Sequence, residues 1–268
     1  MAKERRGLLG RLIRRKAGAP ADESGPQAPA VREARVGLCF DYERGVDFVS
    51  ESLSDHGMRH ILKVLKRYGL RATFNCPAKL CELAPRHLNA LADAGHEIAV
   101  LGFAGESVHE LADDALKQLV YACRNAFAQL GHQPIGFRAP HGHWDERLSD
   151  ELARQKFRYS AEHDHARHPY VLAQGTPPLL RVPVCTDDRG LLRREATVRR
   201  TMAKHHRRLR RAIQRRHFVS VCFHPWILVE EKERMLHWEE WVETAVTSRV
   251  IIGSLSDAAD AFEQGGSL

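Results

Sequence analysis

Between residues 36 and 161 the chain alternates short apolar runs with longer amphipathic segments, and glycines punctuate the joints. That rhythm constrains the fold more than any other feature. Residues 36–40, 71–76, 97–101, 135–138 and 157–161 read as strands. Ile61, Leu62, Val64, Leu65 and Tyr68 recur at helical spacing before Gly69. Residues 85–94 and 112–130 form two more helical segments, stopped by Gly95 and Gly131, and 148–155 forms another. Such alternation predicts an α/β fold with a mostly parallel sheet or barrel. Residues 218–223 are a further apolar strand. Residues 239–262 read as a helix, a strand at 250–252 and a closing helix from near Ser256.

The first strand, V-G-L-C-F-D-Y-E, ends in two acids. Asp41 and Glu43 are two residues apart, so on an extended chain both point to one side. A buried strand ending in paired carboxylates places charge at the rim of a sheet, where open α/β sheets and barrels bind substrates.

The 268 residues suffice for one large domain or two small ones, and 43% hydrophobic content supports a full core. Six cysteines are scattered without C-x-x-C pairing, as expected of reduced core thiols in a cytoplasmic protein. No run of about eighteen apolar residues exists to span a membrane. The net charge of +7 points to an acidic partner or surface without naming one. Part of that charge lies in residues 1–17, which suit either a basic amphipathic helix on an anionic membrane face or a disordered leader. The interrupted apolar segment there is not a secretory signal. Residues 18–33, rich in Ala, Pro, Gly and Ser, read as a linker. The expected organisation is therefore a leader and linker over 1–33 and one folded domain over 34–264.

Five segments now fall into order: G-L-R-A-T-F, A-G-H-E-I-A, G-F-R-A-P-H-G, V-P-V-C-T-D-D and V-C-F-H-P-W. Over roughly residues 35–262 they resemble the successive motifs of polysaccharide deacetylases, the NodB-homology group of carbohydrate esterase family four. The resemblance implies a distorted (β/α) barrel of about seven strands. It also implies metal-dependent removal of acetyl groups from N-acetylated sugars.

By position, the resemblance makes Asp41 the base, Glu43 a metal carboxylate, Arg138 the partner of the base and His224 the general acid. Asp188, or its neighbour Asp187, would orient His224. Pro140, His141 and Trp226 would line the substrate site. The family's second motif, H-x-x-x-H, is replaced by Leu101-Gly-Phe-Ala-Gly105, so both metal imidazoles are missing. Zinc is ordinarily held by at least three protein ligands. His96 matches a structural histidine of the family, while His109, His141, His143 and Asp145 offer substitutes, as do His163, His165 and His168, although the latter three also suit a solvated loop. A divalent metal is thus implied by the family and left without a full ligand set.

Residues 189–217 are helical in pattern and strongly basic, with Leu, Val, Met and Ile interleaved. They suit an outer barrel helix, or contact with an anionic polymer or lipid at the inner face of a membrane. The lack of interleaved aromatics argues against nucleic acid. Besides a basic peripheral module at an anionic surface, which rests on residues 1–17 and 189–217, two function classes follow. One is a hydrolase cleaving the C–N bond of an N-acetylated sugar or related amide. The other is a degenerate relative that binds a glycan or protein without turnover.

Overall fold

The structure is a computed structural model, and it describes residues 33–46, 48–193 and 197–265. The expected leader and nearly all of the linker lie outside the described residues.

Strand β1 (Arg35–Asp41) is the organising element. Val36, Leu38 and Phe40 enter one apolar cluster, with Phe74, Phe223 and Trp238. Cys39, on the opposite face, enters a second with Tyr159, Leu180, Cys222 and Leu255. A strand covered on both faces has to be apolar throughout, which is why it reads as a continuous run. Phe40 stacks on Phe74 at 5.0 Å between ring centres, and Phe223 meets Trp241 edge-on at 5.6 Å. Burying each such side chain stabilises the fold by roughly 2–3 kcal/mol.

After β1 the chain forms α1 (Glu51–Tyr68), β2 (Thr73–Cys76), α2 (Leu80–Leu83), α3 (Pro85–Asp93) and β3 (Glu97–Leu101). Next come α4 (Asp113–Gln129), β4 (Gly136–Arg138), α5 (Glu146–Arg154) and β5 (Tyr159–Ser160). Three short strands follow, β6 (Tyr170–Ala173), β7 (Leu179–Arg181) and β8 (Thr186–Asp187). The last third contains α6 (Val198–Arg215), β9 (Phe218–Phe223), α7 (Pro225–Val229), α8 (Lys232–Thr247), β10 (Ile251–Gly253) and α9 (Leu255–Glu263). Helix α1 has the ends its sequence calls for, a Ser50 side chain at its start and a left-handed Gly69 at its close.

The strands form one curled sheet in the order β6-β7-β5-β4-β3-β2-β1-β9-β8, with β10 also paired to β1. From β7 to β9 this path holds seven adjacent strands, and all their pairings are parallel. They are the expected barrel staves, while β6 is antiparallel at one edge. Along β1, Arg35–Gly37 pair with β10 and Cys39–Asp41 with β2. Helix α9 buries Leu255, Ala258 and Ala259 in the smaller cluster on the Cys39 face.

The expected basic helix starts later than its sequence pattern suggests. Residues 189–192 are a tight 3-10 turn, and the helix runs only from Val198. Its Val198, Met202, His205, Leu209 and Ala212 are buried, so α6 lies on the barrel's outside with its cations outward. Helix α8 begins at Lys232, not near 239. The short α7 has no helical periodicity to announce it. It packs on α1 where Gly57 stands, and a Cβ at Gly57 would overlap the Pro225 carbonyl.

Candidate active site

Parallel strands deliver their C-terminal ends to one rim. Asp41 is the last residue of β1 and Arg138 the last of β4; Asp188 follows β8, and His224 follows β9. The four side chains meet there and are buried, with Asp41 at 1% and His224 at 0% exposure.

Arg138 Nε donates to both Asp41 oxygens, at 3.1 and 3.0 Å, and its Nη1 donates to the Ala161 carbonyl at 2.8 Å. Asn75 Nδ2 donates to Asp41 Oδ1 at 2.8 Å. Burial alone would raise the Asp41 pKa. The Arg138 charge, followed by His224 and Arg189, outweighs it and holds the carboxyl well below the usual carboxylate range.

His224 lies between two carboxylates. Its Nδ1 is 2.5 Å from Asp188 Oδ1, and its Nε2 is 3.3 Å from Asp41 Oδ2. The His224 backbone N–H also donates to Asp188 Oδ2 at 3.1 Å. Asp188 is therefore the orienting acid. Asp187 instead accepts the Arg189 backbone N–H at 3.3 Å. Burial would depress the His224 pKa, but Asp188 and then Asp41 push it up to about 10.

Two residues absent from the sequence reading complete the centre. Arg189 sits in the 3-10 turn. Its Nη2 donates to Glu43 Oε1 at 2.6 Å and its Nε approaches His224 Nε2 at 2.9 Å. A protonated Nε2 donates to Asp41, whereas a deprotonated one accepts from Arg189. The Arg189 side chain is 29% exposed, so it is the partly open group over a closed pair. Glu162, just past β5, accepts the Ala139 N–H at 2.6 Å and lies 3.9 Å from Arg138 Nη1. Burial pushes its pKa up to about 7, against the pull of Arg138 and Arg181. Its only sequence signal is a carboxylate directly after the buried run 157–161.

The remaining candidates separate. Pro140 is buried, and His141, at a left-handed φ of 59°, places Nε2 3.0 Å from the Gly105 carbonyl. Trp226 is 5% exposed and its indole N–H donates to Glu43 Oε2 at 3.0 Å. The open aromatic beside it is Phe48, 75% exposed, with ring centres 5.8 Å apart.

The donor set at the rim does not fit a divalent ion. Both Glu43 oxygens are engaged, one by a permanent cation. Leu101 is a buried aliphatic residue, and Gly105 offers only backbone. His163 Nδ1 is taken up by the Val184 carbonyl at 2.8 Å. Among the described residues, three potential ligand side chains gather within 4.8 Å only at His206, His237 and Glu240, on the outer helices α6 and α8.

Comparison with known proteins now bears on this rim. The polysaccharide deacetylase family model matches residues 29–160, which include Asp41, Glu43 and Arg138. Residues 29–160 belong to the polysaccharide deacetylase family. A peptidoglycan deacetylase-like protein of Gibberella zeae is 30% identical over 125 residues, 45% of this chain and 37% of that protein. The match thus spans little more than a third of the curated relative.

Among solved structures, a protein assigned as a polysaccharide deacetylase from Mycobacterium smegmatis superposes with a TM-score of 0.78. It is 21% identical and covers 90% of this chain and 94% of its own. An allantoinase, PuuE, gives a TM-score of 0.77 at 17% identity, covering 92% and 98%. A family-four pseudoenzyme from Bacillus anthracis gives 0.58 at 12%, covering 85% and 66%. These likenesses establish the deacetylase fold. No helix among the described residues is long and apolar enough to cross a membrane.

Proposed function

We propose that this deacetylase-family protein is a hydrolase cleaving the amide C–N bond of an N-acetylated sugar or a related amide. One observation carries the reading: Asp41 Oδ2 and His224 Nε2 face each other at 3.3 Å, and Asp188 backs the imidazole. In this scheme the Asp41 carboxylate takes a proton from water as the water oxygen bonds to the acyl carbon. The C–N bond then breaks, and the amine nitrogen takes the Nε2 proton of His224. The products are a carboxylic acid and an amine. Asp188 keeps Nδ1 engaged, so the reactive proton stays on Nε2. Arg138 keeps Asp41 oriented and ionised.

A second reading is favoured by burial. Asp41 and His224 have almost no open surface and Arg189 lies over them, as would suit a relative that binds a glycan or protein without turnover. The outward cations of α6 suit an anionic surface, and buried free cysteines suit a reducing compartment such as the cytoplasm.

Acid and amine release should be measured across N-acetylated sugars, peptidoglycan fragments and cyclic amides, with Asp41→Asn and His224→Ala as controls. The hydrolase reading expects turnover lost in both folded variants. Ligand binding by both variants, with no turnover by any form, would instead establish the binding reading.

A further inference from the structure

We propose that the Arg189 guanidinium is the resident cation of this centre, standing where the family resemblance puts a divalent ion, so that the site is organised without a metal. The inference rests on the deacetylase-type reading of the rim, and it concerns what holds that rim together.

Three observations converge. First, Arg189 touches the carboxylate a metal would have to use and the imidazole of the general acid. Its Nη2 is 2.6 Å from Glu43 Oε1, and its Nε is 2.9 Å from His224 Nε2. Second, the other oxygen of Glu43 accepts from Trp226 Nε1 at 3.0 Å, so both oxygens of the carboxylate are already engaged by protein donors. Third, the residues at the two missing imidazole positions, Leu101 and Gly105, carry no ligand side chain. The family's ligand set is thus incomplete here, and a fixed positive charge sits on its remaining carboxylate.

The geometry of the turn explains how Arg189 arrives there. Its backbone N–H is held by Asp187, and Asp188, one residue before it, is anchored to the His224 ring and backbone. The residue that orients the imidazole and the residue that lies beside its other nitrogen are therefore neighbours in one tight turn. A guanidinium suits this place because it is planar, always charged and forked, and can reach a carboxylate and an imidazole at once. Lysine, a point charge on a flexible stem, lacks that planar fork. A guanidinium also offers N–H donors to an oxyanion formed at the rim, which is the electrostatic part of a Lewis acid's role.

The test combines zinc titration by calorimetry with NMR of His224, on the full chain. Because His206, His237 and Glu240 form a separate candidate zinc group, zinc is titrated into wild type, His206→Ala and Glu43→Gln. The proposal expects any zinc uptake by wild type to vanish in His206→Ala and to persist in Glu43→Gln. It expects EDTA to leave the melting temperature of His206→Ala unchanged. It expects Arg189→Ala and Arg189→Lys both to shift the His224 ring signals, with millimolar guanidinium ion restoring them in Arg189→Ala alone. Arg189→Lys keeps the charge, so it guards against a variant that merely fails to fold. One zinc per chain that is lost in Glu43→Gln overturns the proposal, as does an unchanged His224 spectrum in both Arg189 variants.

The two readings fail separately. Zinc at Glu43 together with amide turnover sinks the resident cation and leaves the hydrolase standing. A metal-free rim with the expected His224 shifts, and no turnover of any amide, does the reverse.

Discussion

Asp188 accepts two hydrogen bonds from His224, one from the ring at 2.5 Å and one from the backbone N–H at 3.1 Å. The side chain's direction and the strand end that carries it are thereby fixed by one carboxylate. Asp188→Asn should lower the His224 pKa from about 10, because the largest of the acidic influences that raise it is gone. His224 is raised above its ordinary value of 6.5, so its stabilising effect is full below pH 6.5 and lost as pH rises through 10. In Asp188→Asn that loss moves to lower pH. Urea unfolding between pH 7 and 10 reads the shift. With a substrate in hand, turnover should fall about a hundred- to ten-thousand-fold, the usual weight of a general acid.

Glu162 gives a prediction of the same sign at lower pH. Its folded pKa of about 7 lies above the ordinary 4.5, so the protonated carboxyl is the favoured form inside. Its contribution is present below pH 4.5 and disappears as pH rises to 7, a difference on the order of 3 kcal/mol. Glu162→Gln should gain on wild type as pH rises from 5 to 7.5. Equal pH slopes for the two proteins in chemical denaturation would contradict this.

His205 behaves oppositely. It is fully buried on α6 against Phe223, and neither ring nitrogen has a hydrogen-bond partner. Burial pushes its pKa down to about 4, so stability is present above pH 6.5 and lost as pH falls through 4. His205→Leu keeps the volume and removes the unmet polar atoms. It should raise the melting temperature at pH 7, and raise it more at pH 5.

Gly57→Ala tests the seat of α7. The added methyl meets the backbone of Pro225, which cannot rotate away as a side chain could. Destabilisation of about 1–3 kcal/mol is expected, the usual cost of overpacking. Because Pro225 lies between His224 and Trp226, the His224 ring signals should also move. A fully active, fully stable variant would mean that α1 and α7 can separate at little cost.

Much of this was readable from residue order. The limits of β3 and β9 follow from apolar runs bounded by polar residues, and α1 ends where Gly69 permits a left-handed turn. Asp41 was legible as an acid closing an apolar strand, whereas Arg138, Asp188 and His224 were picked out by their positions in the motifs that resemble the deacetylases. Arg189 was not. It lies within a basic stretch whose pattern is that of a solvated helix, and nothing local reveals that its first residues form a tight turn against β9. Glu162 and Phe48 were hidden for a similar reason, since their importance comes from neighbours brought together by the sheet. The two-residue strand β8 is too short for any periodicity to register. Trp226 was readable as an aromatic at the rim but not as a buried donor to Glu43.

β1 finds its partners at opposite ends of the polypeptide. β2 follows within one helix, but β9 and β10 belong to the last third, and Glu43 waits for Trp226, 183 positions away. During synthesis at about 5–20 residues per second, that separation is a delay of roughly 10–40 s. Throughout it, an apolar ribbon with one open edge leaves the ribosome early and cannot complete its pairing. Chaperone dependence and loss to aggregation should therefore respond most to changes in the final strands, because those strands shelter the first one.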